Sequence, residues 1–199
     1  PFTRLAPEAT REQWRKDGIM PRGAMVEVME LMSRTHIGCD QDYNNLMKQI
    51  ARTALADGWG GSMVATELSD IMFGTPSPTL ADVNMGVLKE DHVNIIVHGH
   101  EPAMFEGMLM AVNDPFFIKE AEAKGAKGIN LVGMCCSGAE MMSRHGVPHA
   151  GSFGSTEAVV VTGAVDAMVV DIQCIKQGLA AVAKCHDTHL ITTNPRAHI

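Results

Sequence analysis

The sequence predicts an α/β fold, a helical N-terminal segment followed by a Rossmann-like domain on a parallel sheet. Three observations predict it. Apolar residues of the first part recur at helical spacing, as in Met25, Val28, Met29 and Met32. The second part alternates short β-rich runs with helix-length segments, the pattern of strands joined by crossovers. Between them, Gly74 and Pro76-Ser77-Pro78 interrupt the chain. The expected domains are therefore residues 1–88, helical, and 89–199, the opening of the α/β domain.

The elements follow in order. Residues 7–18, around Trp14, suit a short helix. A second runs through Met25 and Met32 and stops near Gly38. Asp42 or Asn44 can cap a third, with Leu46, Ile50, Ala54 and Leu55 on one face and an end at Asp57-Gly58. Ser62 can cap a fourth over 63–73. The first strand, 93–97, leads into His98-Gly99-His100 and a helix over 103–112. The second, 128–134, ends in Cys135-Cys136, with a helix over 138–144. Over 155–165, Val159-Val160-Val161-Thr162 suits a strand, but Ser155 and Glu157 mark a helix start and a helix is expected. A third strand, 167–173, ends in Cys174 and precedes a helix over 175–184. A fourth, 189–193, ends at Asn194-Pro195.

Composition bounds the function. With 199 residues, 46% hydrophobic and 20% charged, the chain is a folded globular protein. A net charge of -7 without a basic stripe argues against a nucleic-acid partner. The longest apolar stretch, 158–172, is broken by Thr162, Asp166 and Asp171, so no membrane span is expected. The 15 Met residues suit adaptable core filling. The five cysteines, Cys39, Cys135, Cys136, Cys174 and Cys185, form neither a disulfide framework nor a Cys-x-x-Cys motif, which fits a reduced, cytoplasmic setting. A start at Pro1 without initiator Met or leader, and an end at Ile199 without a tail, suggest a piece of a longer chain.

The chemistry-bearing residues stand at strand ends. Three successive strands finish with a metal-binding side chain: His98/His100, Cys135/Cys136, then Cys174. In open parallel sheets such carboxyl ends lie along one edge and form sites. One imidazole and two thiolates suit zinc or an iron–sulfur centre, and a Cys-His pair also suits nucleophilic catalysis. The competing reading is a set of inert buried cysteines and a polar turn. Neighbours on extended backbone point to opposite faces, so at most one of Cys135 and Cys136 is expected to reach a shared site. Cys39, Cys185, His36, His92, His145, His149, His186, His189 and His198 read as structural or solvated. Gly58-Trp59-Gly60-Gly61-Ser62 lacks the lysine of a phosphate loop, though a helix start behind glycines can hold an anion.

The same segments resemble the catalytic subunit of the anaerobic nickel–iron carbon monoxide dehydrogenases. The matching strings are Arg52-Thr-Ala-Leu-Ala-Asp-Gly-Trp-Gly-Gly-Ser-Met, Ala65-Thr-Glu-Leu-Ser-Asp, Val97-His-Gly-His-Glu-Pro, Gly128-Ile-Asn-Leu-Val-Gly-Met-Cys-Cys and Met168-Val-Val-Asp-Ile-Gln-Cys. They span nearly the whole chain in order. The resemblance implies a hybrid-cluster-protein-like fold and oxidation of CO with water to CO2, two protons and two electrons at a nickel–iron–sulfur cluster (Ni-4Fe-4S type). It implies that His100 and Cys136 hold a pendant iron and Cys174 a cubane iron. Asp57, before the Gly-Trp-Gly-Gly string, becomes the carboxylate of a proton network.

The resemblance also implies a homodimer of full-length subunits and a ferredoxin-type electron acceptor or an acetyl-CoA synthase as partner. The family's further 4Fe-4S clusters, its remaining active-site cysteines and its nickel thiolate have no counterpart among these 199 residues. Two alternatives stand beside it: a hybrid-cluster-type reductase of small nitrogen compounds, and a non-catalytic cluster-binding homologue.

Overall fold

The computed structural model describes residues 2–171 and 173–194. Ile172 of the expected third strand, Pro195 at the end of the expected fourth and the expected solvated His198 lie outside the described residues. Contacts divide the chain into two compact units, Pro1–Met72 and Phe73–Ile199.

The first unit holds helices α1 (Glu8–Lys16), α2 (Ala24–Arg34) and α3 (Tyr43–Ala56), and α4 (Met63–Phe73) begins in it. The Asp42 side chain caps α3 by accepting the Asn44 N–H at 2.9 Å. Ser62 does not act as a cap. Asp57–Ser62 form a π-helical turn that runs from α3 straight into α4. A wider turn is easiest where side chains are absent, and Gly58, Gly60 and Gly61 lie in it. A Cβ at Gly61 would stand 2.9 Å from Asp57 Oδ1. No helix begins freely behind the glycines, which overturns the anion-holding reading of that string. Trp59 of the turn meets the buried Trp14 edge-on, with ring centroids 5.9 Å apart.

Polar groups, more than apolar ones, join α2 to α3. Glu27 and Gln49 are fully buried, whereas Met25, Met29, Met32 and Ile50 are exposed, contrary to the inward faces that their spacing predicts. Glu27 Oε1 accepts from the Arg22 N–H (2.9 Å) and Nε–H (3.1 Å). Its Oε2 accepts from Gln49 Nε2 (3.0 Å) and Arg52 Nε (3.1 Å). A carboxylate buried without such partners costs several kcal/mol, so this network sets how the two helices meet.

The second unit is a five-stranded, all-parallel sheet in the order β3-β2-β1-β4-β5. Its strands are β1 (Val93–Gly99), β2 (Ile129–Met134), β3 (His149–Gly151), β4 (Ala167–Val170) and β5 (His189–Thr192). The helices are α5 (Pro102–Val112), α6 (Pro115–Ala123), α7 (Cys135–His145), α8 (Thr156–Val161) and α9 (Gln177–Cys185). Buried Ile96, Val132 and Met168 face α8 and α9 through Val159, Val160 and Leu179. On the other face Val97 and Leu131 pack with Phe105 of α5 and Met141 of α7. Burial on both faces explains why these strands read as continuous apolar runs.

Three features depart from the sequence expectation. Helix α6 was not expected, although Asp114 accepts the Phe116 N–H at 2.8 Å and Pro115 opens the helix. The edge strand β3 is only three residues long, too short for a pattern. Helix α7 starts at Cys135, directly after β2, so the doubled cysteine is helical rather than extended. Helix α7 also lies close on β2, because a Cβ on Gly133 or Gly138 would overlap the other's backbone.

At the amino edge of the sheet, buried Asn94 donates to Lys89 O and Ala164 O (2.8 Å each) and accepts from Asn130 Nδ2 (2.8 Å). Polar groups there are satisfied within the fold. Among the described residues no helix is long and apolar enough to cross a membrane.

Burial pushes the Glu27 carboxyl up, but hydrogen bonds from Arg22, Gln49 and Arg52 outweigh it and lower it to about 2 from an ordinary 4.5. A depressed carboxyl stabilises the fold above its ordinary value, and the contribution fades as pH falls toward about 2. Resistance of the 199-residue chain to urea should therefore fall over that acid range. Glu27→Gln should flatten the acid dependence and cost about 3 kcal/mol at neutral pH. An unchanged pH profile in the variant would contradict the assignment.

Candidate metal centre

The sheet order reverses at β1. From β1 the chain builds outward through β2 and β3, then returns to add β4 and β5 on the other side. Crossovers leaving in opposite directions open a crevice at the carboxyl ends of β1 and β4, the place where open α/β sheets form sites. The strands β2, β1 and β4 that precede the expected ligands are immediate neighbours. His98 pairs in register with Met134, the residue before Cys135, and with Val170 of β4.

Five soft or borderline donors gather at this edge. Ligand atoms of His98, Cys135 and Cys174 lie within 4.8 Å of one another, and so do those of His100, Cys135 and Cys136. Cys174 Sγ is 3.4 Å from His100 Nδ1 and 3.6 Å from Cys135 Sγ. Of the expected ligands, His100 and Cys136 share one group, and Cys174 touches His100. Cys135 belongs to both groups, so both members of the doubled cysteine reach the site, against the expectation of one. The reason is local: alternation holds for extended backbone, and Cys135 instead has a φ of 61° at the start of α7. Gln173, the neighbour of Cys174, has a φ of 76°. Strained residues of this kind cluster where a site must aim its side chains.

His149 was expected in a solvated turn. It is buried on β3, and its Nε2 lies 3.0 Å from Cys135 O, fixing the turn that aims that thiol. Gly138 leaves room for its ring, since a Cβ there would overlap His149. Nothing in Pro148-His149-Ala150 signals this role in sequence. Asp171, which the sequence showed only as a break in an apolar run, is fully buried at the same edge. It accepts from His100 N–H (2.6 Å), Glu101 N–H (2.9 Å) and Ser137 Oγ–H (3.0 Å). Asp57 belongs to the first unit, exposed at the head of the π-helical turn. Cys39 and Cys185 are exposed and free. His145 lies 2.6 Å from Glu106 and His92 lies 2.6 Å from Asp91, both as surface pairs.

The site disfavours charge in its own groups. Burial pulls His98 down to about 4, so its ring is neutral near pH 7. His98 Nδ1 is buried with no hydrogen-bond partner, and its Nε2 stands 3.4 Å from Thr156 Oγ1. Burial pushes the Cys174 thiol up to about 12, with Cys135 adding to the shift, and burial also raises Cys136. The asparagines of the amino edge satisfy one another, while here His98 Nδ1 stays buried without a hydrogen-bond partner. Neutral imidazole and thiols that ionise on coordination are the donors that zinc, nickel and iron–sulfur centres use.

Comparison with known proteins follows the same lines. The Prismane/CO dehydrogenase family matches over residues 1–199. Carbon monoxide dehydrogenase 1 of Methanosarcina mazei is 50% identical over 196 residues, covering 98% of this chain and 31% of the relative. Carbon monoxide dehydrogenase/acetyl-CoA synthase subunit beta of Moorella thermoacetica is 45% identical, covering 96% of this chain and 28% of the relative. Among solved structures, an as-isolated, nickel-free carbon monoxide dehydrogenase from Thermococcus sp. AM4 superposes with a TM-score of 0.88 at 50% identity, over 100% of this chain and 31% of that one. The chain thus spans under a third of the length of these relatives.

In the metal-free 199-residue chain, alkylation by iodoacetamide at pH 8 should separate the cysteines. Exposed Cys39, Cys136 and Cys185 should be labelled within minutes, and Cys174, 2% exposed, should resist at least ten-fold longer. Peptide mass spectrometry over time reads the order. Cys174 labelled as fast as Cys39 would contradict the buried site.

Proposed function

Because this chain belongs to the Prismane/CO dehydrogenase family, we propose that it supplies part of the active-site cluster pocket of a carbon monoxide dehydrogenase catalytic subunit. The whole enzyme would oxidise CO with water to CO2, releasing two protons and two electrons. The observation that carries the reading is the convergence of His100, Cys136 and Cys174 with His98 and Cys135 at one sheet edge. The donor chemistry fits a nickel–iron–sulfur cluster: iron accepts thiolate and imidazole, and ligand atoms of His98, Cys135 and Cys174 lie within 4.8 Å of one another.

His100 and Cys136 would hold the pendant iron, and Cys174 a cubane iron. When bound, the cluster would supply the redox chemistry that accepts two electrons from CO. The chain's own residues do the rest. Apolar Met134 and Val170 pack in one buried cluster with Cys174 and limit water at that thiol. His98, neutral and buried, offers nitrogen without adding positive charge. His149 holds the Cys135 carbonyl and so the start of α7. Asp57 would serve the proton network as an exposed carboxylate.

The relatives compared are named carbon monoxide dehydrogenases, which favours this reading over a nitrogen-compound reductase. The name of the Moorella relative supports acetyl-CoA synthase as a partner of such subunits, beside a ferredoxin-type acceptor. The reading includes an anaerobic, cytoplasmic homodimer of the full-length subunit with further 4Fe-4S clusters.

In the full-length parent, purified anaerobically, metal and sulfide analysis should find nickel, iron and sulfide together. His100→Ala or Cys136→Ala should abolish CO oxidation with unchanged far-ultraviolet dichroism, and turnover at the parental rate would remove that residue from the site. Cys39→Ala should leave activity near the parental value. Asp57→Asn should slow turnover with metal content unchanged. The 199-residue chain by itself should show no CO oxidation.

A further inference from the structure

We propose that Asp171 is a positioning residue of this centre, one side chain that ties together the three segments bearing His100, Cys135-Cys136 and Cys174. The proposal rests on the cluster pocket proposed above and adds to it a residue that touches no metal.

Asp171 follows β4 directly and precedes Cys174 by three positions. Its own N–H donates to His98 O at 3.0 Å, so its backbone extends the pairing of β4 with β1. Its carboxylate reaches further. Oδ1 accepts the His100 N–H at 2.6 Å, and Oδ2 accepts the Glu101 N–H at 2.9 Å. The same Oδ2 accepts Ser137 Oγ–H at 3.0 Å, from the residue after Cys136 in the first turn of α7. One buried side chain thereby links the ends of β1 and β4 and the start of α7. Each link ends on an expected ligand or within two residues of one.

The glycine of His98-Gly99-His100 follows from the same carboxylate. A Cβ at Gly99 would overlap Asp171, and Gly99 has a φ of 142°, which side chains rarely adopt. The backbone bends there so that consecutive N–H groups can reach both carboxylate oxygens. That bend carries His100 toward Cys174, with Nδ1 3.4 Å from Sγ. The His-Gly-His spacing is the imprint of an acidic residue about seventy positions later.

A merely structural carboxylate would serve the fold alone. A positioning carboxylate also sets donor geometry, and groups of that kind change metal affinity about 10–100-fold when altered. Asp171→Asn keeps size and shape, but its amide turns one acceptor into a donor that faces an N–H or O–H donor.

The test uses the full-length parent, purified anaerobically as parental protein, Asp171→Asn, Ser137→Ala and Ser137→Thr. Nickel and iron per protomer, the paramagnetic resonance signature of the active-site cluster, and thermal melting are measured on each. Asp171→Asn should melt as a folded protein with nickel occupancy reduced at least ten-fold or with a shifted cluster signature. Ser137→Ala, which removes one of the three bonds, should shift the signature with melting unchanged, and Ser137→Thr, which keeps the hydroxyl, should restore it. Parental metal content and signature in folded Asp171→Asn would overturn the proposal. If Asp171→Asn does not fold, an unshifted signature in Ser137→Ala would overturn it instead. Absence of nickel and iron from the parental protein would overturn the proposed function and this inference with it, whereas normal parental loading with insensitive variants overturns the inference alone.

Discussion

The reversal of strand order between β1 and β4 is the constraint on which the second unit depends. Parallel strands need crossovers, and crossovers that depart in opposite directions from one central strand leave a crevice at the carboxyl ends. Beyond the strand ends the regular ladder gives way to the Asp171 side chain, which bonds the His100 and Glu101 N–H groups across the crevice. Side chains placed there face one another across it. Here they are imidazoles and thiols, and Cys174 lies against both His100 and Cys135. The opposite edge of the same sheet shows the contrast: Asn94 and Asn130 consume their own donors and acceptors and leave nothing to bind.

Gathering soft donors at one sheet edge, with His98 and Cys174 buried, favours uncharged side chains and a backbone forced to aim them. Both occur. Burial keeps His98 neutral and Cys174 protonated. Positive φ at Cys135 and Gln173 aims backbone that would otherwise continue regularly. Such strain, about 1–3 kcal/mol per residue, persists only where surroundings over-determine the conformation. His149 on the Cys135 carbonyl and Asp171 on the His100 N–H supply that constraint.

The first unit is organised by a different balance. Its central buried groups are Glu27 and Gln49, tied to Arg22 and Arg52, while methionines at regular helical spacing stay on the surface. Periodicity records that these helices have an apolar face, not what covers it. The comparison proteins are about three times longer than this chain, so an uncovered face in the first unit needs no special function.

Legible in the sequence alone were the α/β class, the helix starts behind Asp42 and Ser155, the four longer strands, and the candidate ligands at strand ends. Those are local properties: a cap, an apolar run, a residue type at the end of a run. The resemblance then marked His100, Cys136 and Cys174. Folding alone settles that Ser62 is no cap, that Cys135 joins both donor groups, and that His149 and Asp171 bond the backbone around the donors. Each of those depends on segments far apart in the chain meeting at one edge. Gly99 shows the physical reason most plainly. In sequence it is a small residue between two histidines, and its necessity exists only because the Asp171 carboxylate occupies the place where its side chain would be.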